Sequence, residues 1–226
     1  MSRRSEPLTP AATAPLRADA RRNRDRILEV AREVFAEHGL DASMNEVARP
    51  AEVGVATLFR RFPSREQLIA ATFADPMVEY AALIETALEN PDPWHGFCEY
   101  VRGVCAMQAG DRGFTDVLTQ SFPTAKEFEA ERDHAFSRFA LLISRAQKAG
   151  ALRHDFVAED LPMLLMANAG VVTATHDAAP EASPRLVAYL LQAFSAEVTG
   201  PLPTPPTPRR MYRALHRLQQ SHRRDP

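Results

Sequence analysis

Arg60 and Arg61 end the run Val55-Ala56-Thr57-Leu58-Phe59-Arg60-Arg61-Phe62, which Pro63 closes. Helical spacing turns Leu58 and Phe62 inward and leaves Val55, Thr57, Arg60 and Arg61 free to face a ligand. These four are therefore the candidates for contact with a partner. No GxSxG, HExxH, Walker or dinucleotide motif occurs, and the seven histidines are scattered. His134 lies beside Asp133, but no nucleophile stands at triad-like spacing, so no catalytic activity is expected. Cys98 and Cys105 are seven apart on one predicted helix, about 10 Å along its axis, too far to pair. Neither has zinc-site spacing, so both are read as core hydrophobes, and no metal or cofactor is expected.

Charge locates the partner. Residues 1–65 carry 12 Arg and 9 acids, residues 66–200 carry 9 basic and 19 acidic groups, and residues 201–226 carry 6 Arg and 1 acid. A basic front attracts a phosphate backbone that the acidic middle repels, so the front should face nucleic acid. No run approaches the roughly 18 apolar residues of a membrane span, and the Arg-rich start lacks the apolar core of a secretory signal, so no membrane partner and a cytoplasmic location are expected.

The elements that position these arginines read as helices throughout. Residues 1–18 are expected to be a flexible arm. From Asp19 to His38 an apolar stripe of Ile27, Leu28, Ala31, Val34 and Phe35 predicts a first helix, stopped by Gly39. Ser43 and Glu46 form a capping box that opens a short second helix to about Arg49 or Pro50. A turn at residues 51–54 leads to the helix Val55–Phe62, and Ser64 to Gln67 is a further capping box. Asp75-Pro76 is expected to break that helix, and Asp75 and Asp92 to cap helices with proline at their first position. Helices are predicted near 76–89, 93–109, 114–121, 125–149 (opened by a Thr124–Glu127 box), 158–176 and 184–199, with Gly110 and Gly150 as stops. Residues 200–208 form a stiff proline linker before a basic amphipathic segment from Arg209 to Arg224. The pattern of residues 19–65 fits a helix-turn-helix; a small structural unit with solvated arginines is the other reading.

The run Ser43-Met44-Asn45-Glu46-Val47-Ala48 through Gly54-Val55-Ala56-Thr57-Leu58-Phe59-Arg60-Arg61-Phe62-Pro63 resembles the TetR-family signature, and the resemblance spans residues 20–73. It implies an all-α chain: an N-terminal three-helix helix-turn-helix domain (19–65), then a helical ligand-binding and dimerisation domain (66–200), with residues 201–226 a Pro-rich linker and basic tail. It implies operator DNA as partner, with Ser43 capping and touching phosphate and Gly54 and Val55 opening the recognition helix. Thr57 and Arg60 would contact base or phosphate, Arg61 and Arg65 the backbone, and Arg24 with Arg21 and Arg22 a flanking backbone or minor groove, or else plain solvent. Three positions depart from the family pattern. Glu52 stands where Gly is usual, which at positive φ costs about 1 kcal/mol. Pro50 replaces a frequent Arg, and Phe59 replaces a frequent Tyr, so it packs but donates no hydroxyl. They motivate an alternative, a TetR-fold ligand-binding or interaction protein with weakened or lost DNA binding.

The middle of the chain holds nine of the twelve Phe and the one Trp. By pattern alone such aromatic stripes are more often core than ligand box. The resemblance implies a pocket for a small-molecule effector of unknown identity among these helices, with Phe73, Met77, Tyr80, Phe97, Val101, Val104, Phe114, Phe122, Phe136 and Phe139 as candidate lining residues. Arg102, Gln108 and His134 are candidate polar anchors or satisfied core. Residues 158–199 are apolar on more than one helix face, which implies a homodimer. The whole reads as a transcriptional regulator, a repressor released from its operator by that effector.

Overall fold

A computed structural model describes residues 13–120, 122–175, 178–198, 200–207, 209–211 and 213. Among these residues ten helices are delimited, in order: α1 (Thr13–His38), α2 (Met44–Ala48), α3 (Val55–Arg61), α4 (Arg65–Thr72), α5 (Ala74–Glu89), α6 (Pro93–Gly110), α7 (Arg112–Thr119), α8 (Lys126–Lys148), α9 (Asp160–Thr175) and α10 (Ala182–Phe194). Among the described residues the one β contact is an isolated bridge between Leu152 and Ser195. No described helix is long and apolar enough to cross a membrane.

The expected all-helical order is present, with boundaries moved where tertiary structure decides them. The described part of α1 runs from Thr13, so the end of the expected arm is helical, and alanines favour helix there. Residues 1–12 lie outside the described residues. Asp75 neither ends α4 nor caps α5: the break is at Phe73, and Pro76 sits inside the first turn of α5. α6 does end at Gly110, and Asp111 then caps it and also opens α7, accepting from the Phe114 N–H at 3.0 Å. Asp92 and Pro93 do open α6, and Gly150 leaves α8 at φ 72°.

The box expected at Thr124 and Glu127 does not form. Ala125 precedes α8 without a side-chain cap, and Thr124 turns to the front of the molecule instead. Its N–H and hydroxyl donate to Glu66 at 2.8 and 2.5 Å, and its hydroxyl lies 3.2 Å from that of Ser64. A long-range carboxylate thus takes the place of the local cap. α10 ends at Phe194, short of the expected 199, where the chain turns into the bridge with Leu152.

One continuous core runs from Ile27 on α1 to Leu191 on α10. The front joins the rest through rings: Phe35 on α1 and Phe114 on α7 each lie 6.3 Å from Phe73 at the α4–α5 joint. Beside them Arg32 makes a two-nitrogen contact with Asp111 at 2.6 and 2.9 Å. Farther back, Gln108, expected as an anchor or satisfied core, is fully buried and bonded to Asn168, which binds Ser183; this chain of amides links α6, α9 and α10.

Candidate nucleic-acid interface and effector cavity

The interface begins with one reciprocal cap. Ser43 accepts from the Glu46 N–H at 3.3 Å, and the Ser43 N–H donates to the Glu46 carboxylate at 2.7 Å. The Ser43 N–H first, and then the Ser43 hydroxyl donating to the carboxyl, hold the Glu46 carboxyl below its ordinary range. α2 is thereby started, and Met44, Val47 and Ala48 seat it against Ile27, Ala31, Val34 and Phe35 of α1. α3 follows from Gly54, which caps it without a side chain. Leu58 is wholly buried and holds the helix inward, while Val55 and Phe59 are 38% and 47% exposed. Arg60 is exposed, and Thr57 and Arg61 are half-buried. The outward row of α3 is therefore Val55, Ala56, Phe59 and Arg60, with the half-buried Thr57 and Arg61 at its edges.

Two other predicted contact residues have jobs inside the protein. Arg65 is already partly engaged: one terminal nitrogen of its guanidinium holds the Asp41 carboxylate at 3.1 Å and the Asp41 carbonyl at 2.9 Å, tying the α1–α2 loop to α4. Arg24 is exposed but lies over the Phe62 ring at 5.9 Å, bracing the end of α3 against α1.

In the turn, Glu52 has φ 53°. Pro50 falls after the last residue of α2 and so breaks no helical bond. Glu52 also meets Arg26 at 3.5 Å, an exposed pair worth little. Glu52→Gly is expected to raise stability by about 0.5 kcal/mol, the relief of left-handed strain outweighing glycine's extra unfolded freedom. A urea midpoint that falls instead would show that no strain is stored there.

Behind this interface lie two hollows. A groove of about 640 Å³ runs between α4, α5 and the start of α8, with Met77, Ala71 and Phe128 in its wall. A cavity of about 390 Å³ lies among α5, α7, α8 and α9. Its apolar wall is Tyr80, Leu118, Phe136, Leu161 and Leu165, and its rim carries Arg132, Asp133 and Glu159. Both volumes suit a small molecule. Burial pushes the Tyr80 phenol up, so it stays a neutral hydroxyl.

The ten predicted lining residues divide. Met77 borders the groove, Tyr80 and Phe136 the cavity, and Phe114 a third hollow beside Arg32 and Asp111. Phe73, Phe97, Val101, Val104, Phe122 and Phe139 line neither groove nor cavity; they are core. Rings consume the space: Phe97 stacks on Trp94 and Phe139 at 5.6 and 5.9 Å and meets Phe156 edge-on at 5.3 Å. Phe136, expected to turn inward, is 38% exposed at the cavity mouth. Leu118, Arg132, Glu159 and Leu165 were not anticipated, since no spacing along the chain brings four separate elements to one point. Arg102 is exposed, and His134 is exposed beside Glu85 at 3.7 Å, so neither reaches the cavity.

Two family profiles match the chain: "Bacterial regulatory proteins, tetR family" over residues 27–72, and "Transcriptional regulator SbtR-like, C-terminal domain" over residues 92–193. The chain belongs to the TetR family. The first TetR profile covers α2, α3 and α4 together with the inner half of α1, the unit just described. An HTH-type transcriptional regulator of Staphylococcus aureus (strain USA300) is 41% identical over 54 residues, a match spanning 24% of this chain and 29% of that protein. The TetR family regulator PfmR of Thermus thermophilus shares the fold with a TM-score of 0.57 at 21% identity, over 74% of this chain and 97% of that one. FadR of Bacillus subtilis, solved in complex with stearoyl-CoA, shares it at 0.51 and 17%, over 77% and 98%. The alternative of a TetR fold without DNA binding is not favoured: the helix-turn-helix profile matches and α3 keeps its outward arginine.

Proposed function

We propose that the protein is a DNA-binding repressor that grips its operator as a homodimer and is released by a small, mostly apolar effector held in the α5/α7/α8/α9 cavity. The observation that carries the reading is the two-sidedness of α3, anchored by a fully buried Leu58 and presenting Val55, Phe59 and Arg60 outward with Thr57 half-buried beside them. Such a helix on a rigid three-helix unit suits the major groove. The S. aureus relative, named as a transcriptional regulator, supports it over this same unit.

The dimer is argued from what α9 and α10 leave uncovered. Leu161, Leu164, Leu165, Val187 and Leu191 face the core, while Met163, Ala167, Gly170 and Ala174 on α9 and Tyr189 on α10 remain outside. A Cβ added at Gly170 meets nothing within 4 Å. Gly170→Trp should therefore fold normally yet block a partner helix. Sedimentation is expected to give about twice 25.1 kDa for the native chain and one mass for the variant. The native dimer should shift a fragment from upstream of its own gene in a gel, and the variant should not. A native chain that sediments as a monomer overturns the dimer, and one that shifts no upstream fragment overturns the repressor reading.

A further inference from the structure

We propose that residues 209–211 form a lid on the effector cavity, with Met211 as its seal and Arg209 on its rim. The lid's position stands by itself; its role as an effector gate rests on the cavity reading above. Three observations carry it.

The first is an anchor. Arg153, buried on the α8–α9 loop, bonds both Asp155 carboxylate oxygens and donates to the carbonyls of Ala193 and Gly200 at 3.2 and 2.9 Å. The Leu202 N–H donates to Asp155 at 3.2 Å, so the chain leaving α10 is pinned before the prolines begin in earnest. The second is a strut. Prolines at 201, 203, 205 and 206 restrict the next stretch to an extended path, and six such residues span roughly 20 Å. The third is a seat. Thr207 accepts from the N–H groups of Arg210 and Met211 at 2.8 and 3.0 Å, turning the chain so that Met211 is 8% exposed while Arg209, Arg210 and Arg213 stay outside. Arg209 and Met211 both line the cavity.

A firm anchor, a stiff strut and one flexible apolar side chain in the opening make a latch that opens without disturbing the helices beneath it. An apolar molecule filling the cavity would displace or reseat Met211. Residues 214–226, the rest of the predicted basic segment, lie outside the described residues.

The test uses the full chain. Cys98 and Cys105 are buried, and burial pushes their thiols up to about 11 and about 12, so background labelling is slow. M211C is expected to react with a maleimide about tenfold more slowly than L202C, whose site is 47% exposed. Anilinonaphthalene sulfonate serves as the cavity probe. Its affinity is expected to fall roughly fivefold both in M211W, which jams the seal, and in L118W, which fills the far wall. Equal labelling of M211C and L202C overturns the lid. Weaker binding in L118W with unchanged binding in M211W keeps the cavity and overturns the gate. Unchanged binding in L118W overturns the cavity reading, while slow M211C labelling still upholds the lid.

Discussion

A dimer carrying Arg60→Ala and Arg61→Ala is expected to lose roughly 100-fold or more in operator affinity at moderate salt. The reasoning starts from exposure. Arg60 stands outside on α3, and Arg61 is half-buried at its edge, so both have surface to offer a phosphate, Arg60 the more. Two arginines removed per protomer take four cations from the dimer, and every phosphate that goes unneutralised reduces the salt slope by about 0.9. The slope of log affinity against log salt should flatten by about 3 to 4 if all four touch phosphate, and by less if Arg60 reads a base, in which case sequence preference changes too. Arg65→Ala is the control. Its guanidinium is held by Asp41, so its removal should loosen the α1–α2 loop and lower affinity while leaving the salt slope nearly unchanged. Fluorescence anisotropy across a salt series checks this. An unchanged slope in the double variant, or a slope change as large in Arg65→Ala, would reverse the assignments.

That contrast shows what a sequence makes legible. Ser43 and Glu46 are three apart and complete each other, so their cap needs nothing distant, and the helix-turn-helix can be read directly. Thr124 and Glu127 have the same spacing, but Glu66 arrives from 58 residues away and takes Thr124 first. The exchange is favourable because it satisfies both the N–H and hydroxyl of Thr124 with one charged acceptor. Arg65 is the same case on the DNA side: its type and position suit phosphate, and only the folded α1–α2 loop shows the competing Asp41. The cavity is less legible still. Apolar periodicity separates inside from outside, but it cannot say whether an inward ring meets another ring or empty space. Phe97 and Phe139 are closed in by rings, whereas Tyr80 has the Tyr100 ring on one side at 6.2 Å and the cavity on another. Met211 was hidden for a different reason, because an isolated methionine among arginines carries no period of its own.

The second large effect is expected from Asn168→Ala, which should lower stability by about 3 kcal/mol and the melting midpoint by about 9 °C. Asn168 is fully buried. Its amide donates to the Cys105 carbonyl at 3.3 Å and the Gln108 side-chain oxygen at 3.0 Å, and its own oxygen accepts from Ser183 at 2.8 Å. Gln108 in turn donates to the Leu165 carbonyl at 3.3 Å. Cutting the centre of this chain strands the Gln108 oxygen and the Ser183 hydroxyl where no water reaches, and each stranded group costs about 1–3 kcal/mol. Lost volume alone would cost less, and a combined variant separates the two. Gln108→Leu with Asn168→Leu and Ser183→Ala removes every partner together, and it should recover a good part of the loss because no polar group is left unpaired. The functional consequence follows from location. These bonds hold α9 and α10 on α6, and those two helices carry the face proposed to meet the second protomer. Asn168→Ala should therefore weaken the dimer, and with it operator binding, before the helix-turn-helix itself loosens. Calorimetry and sedimentation at matched concentrations decide it. If the combined apolar variant is no more stable than Asn168→Ala, stranded polar groups are not what the single variant loses, and the amide chain does not set the position of the dimer face.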